Sequence, residues 1–153
     1  MKDPRRAPFP LRRLFIDSGK KSPGFARYEG TQFLDVSADG YDHDWADEVY
    51  YELPKWNRNR PASPNTLIVL AAAGALAAGR HAAPGAHVEA IPVEWKGSVP
   101  KAIMAERLRE WMTEAERAVL FTCLAGIPKA KRNDCEDAAC MGRWWLAKKG
   151  LRP

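Results

Sequence analysis

LRRLFIDSGKKSPGFARYEGTQFLDVS, residues 11–37, decides how this chain is built. Its first part, LRRLFIDSG (11–19), reads as a strand that stops at Asp17, because Ser18-Gly19 is turn chemistry. GFARYEG and TQFLDVS are two short alternating runs hinged at Gly30, the pattern of a hairpin. Three strands in such close succession predict an antiparallel meander. The meander leaves a carboxylate, Asp17, at the end of its first strand.

Beyond it, DGYDHDWADE (39–48) is an acidic loop with Asp39, Asp42, Asp44 and Asp47 around His43. It lacks the D-x-D-x-D-G spacing of a calcium loop and reads as a solvated connection. EVYYEL (48–53) is the next strand, closed by Pro54. If Val49 and Tyr51 face the core, Tyr50 and Glu52 face the other side. PKWNRNRPASPN is a basic, proline-containing loop, after which Ser63 offers an N-cap and Pro64 a first helical position.

The Ala-rich helix that follows runs to about Gly79 and is hydrophobic nearly all round, which predicts burial on more than one side. AHVEAI (86–91) reads as another strand, and PVEWKGSVPK leads from it to a helix over 101–111. Thr113 and Glu116 stand at capping-box spacing before a further helix. GIPKAKR is a linker to the last helix, which begins at Asn133. Three strands, a fourth, a helix, a fifth strand and then helices predict an α/β domain, a mixed sheet with helices packed on it. Residues 1–10, with three prolines and three basic residues, read as a loose basic arm, and residues 11–153 as a single domain.

Composition narrows the function classes. The apolar fraction of 46% and six tryptophans suit a globular protein. Three cysteines, Cys123, Cys135 and Cys140, form no C-x-x-C pair, so a zinc site and a disulfide framework are both disfavoured and a reducing compartment is implied. The longest apolar run, residues 67–79, is too short to cross a bilayer, and the basic N-terminus has no apolar core of a secretory signal. The 24 basic and 19 acidic side chains leave a net charge of +5. If four carboxylates were gathered in one metal site, 15 would remain against 24, and the rest of the surface would carry +9. Such a surface favours a polyanion, with nucleic acid the first candidate.

Near the C-terminus, NDCEDAACMGRWW (133–145) places Asp134 and Asp137 three residues apart, on one helical face. Taken alone the pair reads as capping chemistry: Asn133 suits an N-cap, Glu136 falls at N3, and acids suit a first helical turn. The neighbours argue otherwise. Ala138, Ala139 and Gly142 leave so little bulk that this helix can approach a sheet closely. Carboxylates brought close to a sheet are expensive without a cation. Asp17 and Glu52, at strand ends, are the candidates to complete a site. Glu94 is a rival for Glu52, but it lies beyond Pro92 in a connector.

These segments resemble, in order, the motifs of RuvC-type Holliday-junction resolvases within the ribonuclease-H-like superfamily. FIDSGKKSPGFARYEG resembles the opening strand and hairpin, and VYYELPKW…SPNTLIVLAAAGALAAG the strand glutamate with its loop and small-residue helix. VEAIPVEWKGSVPK resembles the strand that leads through a proline to a lysine, and NDCEDAACMGRWW the final D-x-x-D-A helix. The resemblance spans residues 12–148. It departs at Ser18, where the family usually has proline, and in the short interval from Asp17 to Glu52, which looks like a phage or minimal version.

The resemblance implies a ribonuclease-H-like fold: a five-stranded mixed sheet, an antiparallel meander plus two parallel strands, flanked by helices. It implies Asp17, Glu52, Asp134 and Asp137 as catalytic, metal-binding acids. Hard oxygen donors suit magnesium or manganese, two ions per site. It further implies paired nicks in four-way DNA junctions, a homodimer and a cytoplasmic setting in a bacterial or phage-infected cell. Lys55, Trp56, Arg58 and Arg60 after Glu52, with Lys96 and Lys101, would contact the DNA. The competing readings are Trp56 packed on the sheet edge, and Lys96 and Lys101 as plain surface lysines. Trp144 and Trp145 read as core. At the level of function the rivals are a related nuclease on other branched DNA or RNA hybrids, a non-catalytic nucleic-acid-binding domain of the same fold, and a small interaction protein.

Overall fold

The computed structural model describes residues 10–18, 23–41, 45–53, 64–92 and 100–151. In chain order it contains β1 (Arg12–Asp17), β2 (Gly24–Glu29), β3 (Gln32–Ser37), β4 (Ala46–Leu53), α1 (Pro64–His81), β5 (Ala82–Pro92), α2 (Lys101–Glu110), α3 (Glu114–Ala125) and α4 (Arg132–Lys148), with a 3₁₀ turn at Lys129–Lys131. The five strands form one sheet in the order β3-β2-β1-β4-β5. β1, β2 and β3 pair antiparallel, whereas β4 and β5 join β1 in parallel. This is the mixed ribonuclease-H-like sheet that the sequence predicts.

β1 sits in the middle and is buried on both faces from Arg13 to Asp17, so its sequence reads as a continuous apolar run rather than an alternation. Leu14 and Ile16 join Phe25, Val49 and Ala78 in the smaller core under α1. Phe15 joins Ala26, Tyr28 and Tyr50 in the larger core under α4. Tyr50 and Glu52 do face away from Val49 and Tyr51, but both sides of the sheet are covered.

The larger core is aromatic. Phe15 stacks on Tyr50 at 5.2 Å between ring centroids, and Trp145 lies 4.4 Å from Tyr50. Trp145 is buried as expected, and Trp144 is partly so. α4 fits here because its facing residues are small. A methyl group at Gly142 would run into the Tyr28 ring and stand 2.8 Å from the ring of Phe15. Burial pushes the Tyr28 phenol far above its ordinary range, so it remains a donor, and it donates to Ala139 O at 2.6 Å.

Three boundaries differ from expectation. β4 begins at Ala46, so Asp47 leaves the acidic loop and enters the strand, where it accepts from Arg12 N at 3.0 Å. β5 begins at Ala82, directly after α1. His81 makes that abrupt turn possible: Nδ1 donates to Ala77 O at 2.8 Å, and Nε2 accepts from Tyr41 N at 3.1 Å. α4 begins at Arg132, not Asn133, and runs on from the 3₁₀ turn with Lys131 at its cap and no side-chain cap bond. Capping by Asn133 and Glu136 is therefore corrected. The expected N-cap Ser63, His43 and most of the N-terminal arm (residues 1–9) lie outside the described residues.

The capping box at Thr113 and Glu116 is present, and Glu116 does more than cap. It is buried, with Oε1 accepting from Thr113 N and Oε2 accepting from Phe33 N at 2.5 Å and from Arg143 Nη2 at 2.7 Å. One carboxylate thus ties α3 to both β3 and α4. Replacing Glu116 with Gln leaves the Arg143 guanidinium buried without its counter-charge. The expected loss is about 3 kcal/mol of unfolding free energy, measured by urea denaturation with an unchanged m-value.

Candidate active site

Strand alternation decides where the first two acids point. Phe15 faces the α4 core, so Asp17, two residues on, stands on the same side of the sheet. Tyr50 faces the same core, and Glu52 follows it by two. In the parallel β1–β4 pairing Ile16 lies opposite Tyr51, and the next step along both strands sets Asp17 beside Glu52. Both are buried, at 6% and 7% exposure. Ser18 helps hold the two strand ends together: its Oγ donates to Glu52 O at 3.0 Å. The Ser18 hydroxyl thus joins the end of β1 to β4.

The start of α4 comes to this end of the sheet. Asp17 pairs across the ladder with Gly24, and Gly24 is where the helix touches the sheet. A Cβ on Gly24 would collide with the Asp134 carbonyl, so only glycine lets the first turn of α4 come this close. Asp137, one turn further on, is buried at 4% exposure, and Asp134 is partly exposed. The Cys135 thiol registers the crowding. Burial first, then the charges of Asp134 and Asp17, push its pKa up to about 11, although a Phe25 backbone bond works the other way.

Asp17 and Glu52 therefore stand side by side at one end of the sheet, and the first turn of α4, which carries Asp134, packs at that end. Among the described residues no three His, Cys, Asp or Glu side chains close around a common ion-sized position. The donor set nevertheless suits a hard divalent cation, since it offers carboxylate oxygens alone. Glu136 takes no part in capping: its Oε1 accepts from Arg109 Nε at 2.9 Å.

The remaining expected site residues are placed less fully. Lys55, Trp56, Arg58, Arg60 and Lys96 lie outside the described residues, as does the rival Glu94. Lys101 is the first residue of α2. Sequence reasoning missed two contributors. Gly24 read only as the start of the strand run GFARYEG, and Ser18 as turn chemistry and a departure from the resembled motif.

No protein-family model matches the sequence, and no curated protein matches it. Among solved structures the chain is similar to that of Thermus thermophilus RuvC, with a TM-score of 0.53 over 93% of this chain and 98% of that one, at 16% identity. The chain has the RuvC-like ribonuclease-H fold. The RuvC-like core accounts for the sheet order and the helices that cover it. No helix among the described residues is long and apolar enough to cross a membrane.

Gathering carboxylates destabilises a fold that holds no cation. In chelator, Asp134→Asn is expected to melt a few degrees above wild type. Saturating magnesium should raise the wild-type Tm, by about 2.7 kcal/mol of stabilisation at a hundredfold excess over Kd, and raise that of the variant less. Differential scanning fluorimetry measures both. A variant that melts below wild type in chelator would count against a shared acidic site.

Proposed function

We propose that this chain is a metal-dependent, structure-selective endodeoxyribonuclease that resolves four-way DNA junctions by paired symmetric nicks. The observation that carries the reading is the pair of buried carboxylates, Asp17 and Glu52, at adjacent ends of parallel β1 and β4, with the first turn of α4 packed against Gly24 beside them. On this reading Asp17, Glu52, Asp134 and Asp137 hold two magnesium or manganese ions. When bound, these ions supply an activated water and stabilise the leaving oxygen of a phosphodiester.

The protein's own contribution is rigidity. Asp17 and Glu52 ride on the central strand and its parallel neighbour and are held together through Ser18, so their oxygens lose little freedom when they meet a cation. Asp134 and Asp137 come from a helix anchored by Tyr28 and Arg143, so the second half of the cluster is fixed independently of the first. No serine or histidine nucleophile is required. Lys55, Trp56, Arg58 and Arg60 follow β4 in sequence, and Lys96 and Lys101 follow β5. Since β4 and β5 are parallel, both stretches begin beyond the strand ends where Glu52 stands, and in this proposal they bind the junction. The three free cysteines suit a cytoplasmic setting in a bacterial or phage-infected cell.

The test is cleavage of a labelled synthetic four-way junction beside a linear duplex of the same sequence, with magnesium, manganese or chelator. Wild type is expected to nick the junction symmetrically, and Asp17→Asn to lose at least about a thousandfold in rate, as expected when a ligand to the reacting centre is removed. Cutting confined to flaps or to RNA–DNA hybrids would instead assign a related nuclease. Tight junction binding with no cutting under any metal would assign a non-catalytic binding domain.

A four-way junction presents two equivalent strands, which a two-fold dimer matches. α1 supplies the face for such a dimer. Gly74 and Ala78 turn inward, while Ile68, Val69 and Leu76 are 65%, 65% and 59% exposed. Light scattering at micromolar protein is expected to give a dimeric mass for wild type and a monomeric mass for Leu76→Glu. A monomeric wild type would remove dimerisation from the proposal.

A further inference from the structure

The start of α4 carries three acids, Asp134 in its first turn and Glu136 and Asp137 just beyond it, and Glu136 is held by a neighbouring helix. Glu136 Oε1 accepts from Arg109 Nε at 2.9 Å and also from Arg109 Nη2, so one guanidinium grips one carboxylate oxygen twice. The carboxylate side chain is 18% exposed and the guanidinium side chain 34%, which shields the pair more than an ordinary surface contact. Arg109 is itself fixed in the last turn of α2. Its carbonyl accepts from Met112 N at 3.0 Å, and its guanidinium lies 6.0 Å from the Phe121 ring.

This grip matters because α4 has no side-chain cap to define how its first turn is rotated. Successive helical residues are about 100° apart, so Asp134 and Asp137 lie within about 60° of each other, while Glu136 points about 100° away from Asp137. Holding Glu136 toward α2 therefore turns the other two acids in one fixed direction. On the sheet side the same turn is held by the contact between Gly24 and the Asp134 backbone. The turn is clamped from two sides, by a backbone contact and by an ion pair.

We propose that Arg109 is a positioning residue for the acidic site: by holding Glu136 toward α2 it keeps Asp134 and Asp137 turned to the ends of β1 and β4, and keeps a fifth carboxylate out of the cluster. The proposal rests on the metal-dependent nuclease reading above. It has a signature that simple charge does not share. Removing a positive charge near a cation site should tighten cation binding by electrostatics alone. Losing the clamp should weaken it, as loss of a partner that orients a ligand typically does.

The experiment compares wild type, Arg109→Gln, Glu136→Gln and the charge-swapped pair R109E/E136R. Manganese chloride binding is measured by calorimetry at a temperature where each variant is folded, alongside kcat and KM on the synthetic junction. Arg109→Gln and Glu136→Gln are each expected to bind manganese about tenfold more weakly and to lose kcat, with KM for DNA within about twofold. The swapped pair, which keeps the local charge and rebuilds the ion pair, should recover affinity to within about threefold. Should Arg109→Gln not fold, Arg109→Lys, which keeps the charge and loses the forked grip on Glu136, takes its place and is likewise expected to bind manganese more weakly. Wild-type affinity or tighter in the single variants, or no recovery in the folded swap, overturns the positioning role while leaving the nuclease reading intact. A wild type that binds no manganese and cuts no junction overturns both.

Discussion

The architecture turns on how closely α4 lies against the middle of the sheet. A helix–sheet contact at this range works only where one side presents no Cβ, and the chain arranges that twice: at Gly142 on the helix against Phe15 and Tyr28, and at Gly24 on the strand against the Asp134 backbone. The first contact seats the helix over the aromatic core, and the second sets the height of its acidic end above β1 and β2. The proposed acidic site depends on that second spacing. A helix standing one side-chain layer further out would leave Asp17 and Glu52 as ordinary strand-end acids.

Two buried polar devices keep the contact in one register. Tyr28 donates to a carbonyl in the middle of α4, and Glu116 accepts from Arg143 lower on the same helix while also accepting from the β3 backbone. Apolar packing tolerates sliding, whereas a hydrogen bond to a single carbonyl does not. At the opposite end of β1 from Asp17, Arg13 performs a similar service, donating to Glu48 at 2.7 Å and to Gly30 O at 2.7 Å, so the meander and β4 are joined across β1. The ends of the strands that carry the acids inherit this rigidity.

Much of this was legible in the chain. The end of β1 at Asp17, the hinge at Gly30 and the alternation of Val49 to Glu52 could be read locally, because each rests on local stereochemistry. The small residues after Asp137 foretell a close helix. What stayed hidden depended on partners distant in sequence. Asp47 looked like one more loop acid because its partner, Arg12, lies 35 residues earlier. Glu136 matched a capping position because nothing local reveals Arg109, and β5 could not be traced back to Ala82 without knowing that His81 bonds to Tyr41. Within the site, Ser18 and Gly24 escaped notice for the same reason: each does its work across a strand boundary.

The span of the Tyr28–Ala139 bond, 111 residues, has a consequence for how the molecule comes into being. The meander closes through neighbouring contacts and can form early, whereas β1–β4 pairing and the docking of α4 must close long loops first. The acids thus belong to different folding epochs: Asp17 is in place with the hairpins, Glu52 arrives with the parallel strands, and Asp134 and Asp137 come last. On the proposed reading the like charges would meet only after the rest of the core has formed to hold them, and a cation able to bind the finished protein would exert no pull on the intermediates that precede it.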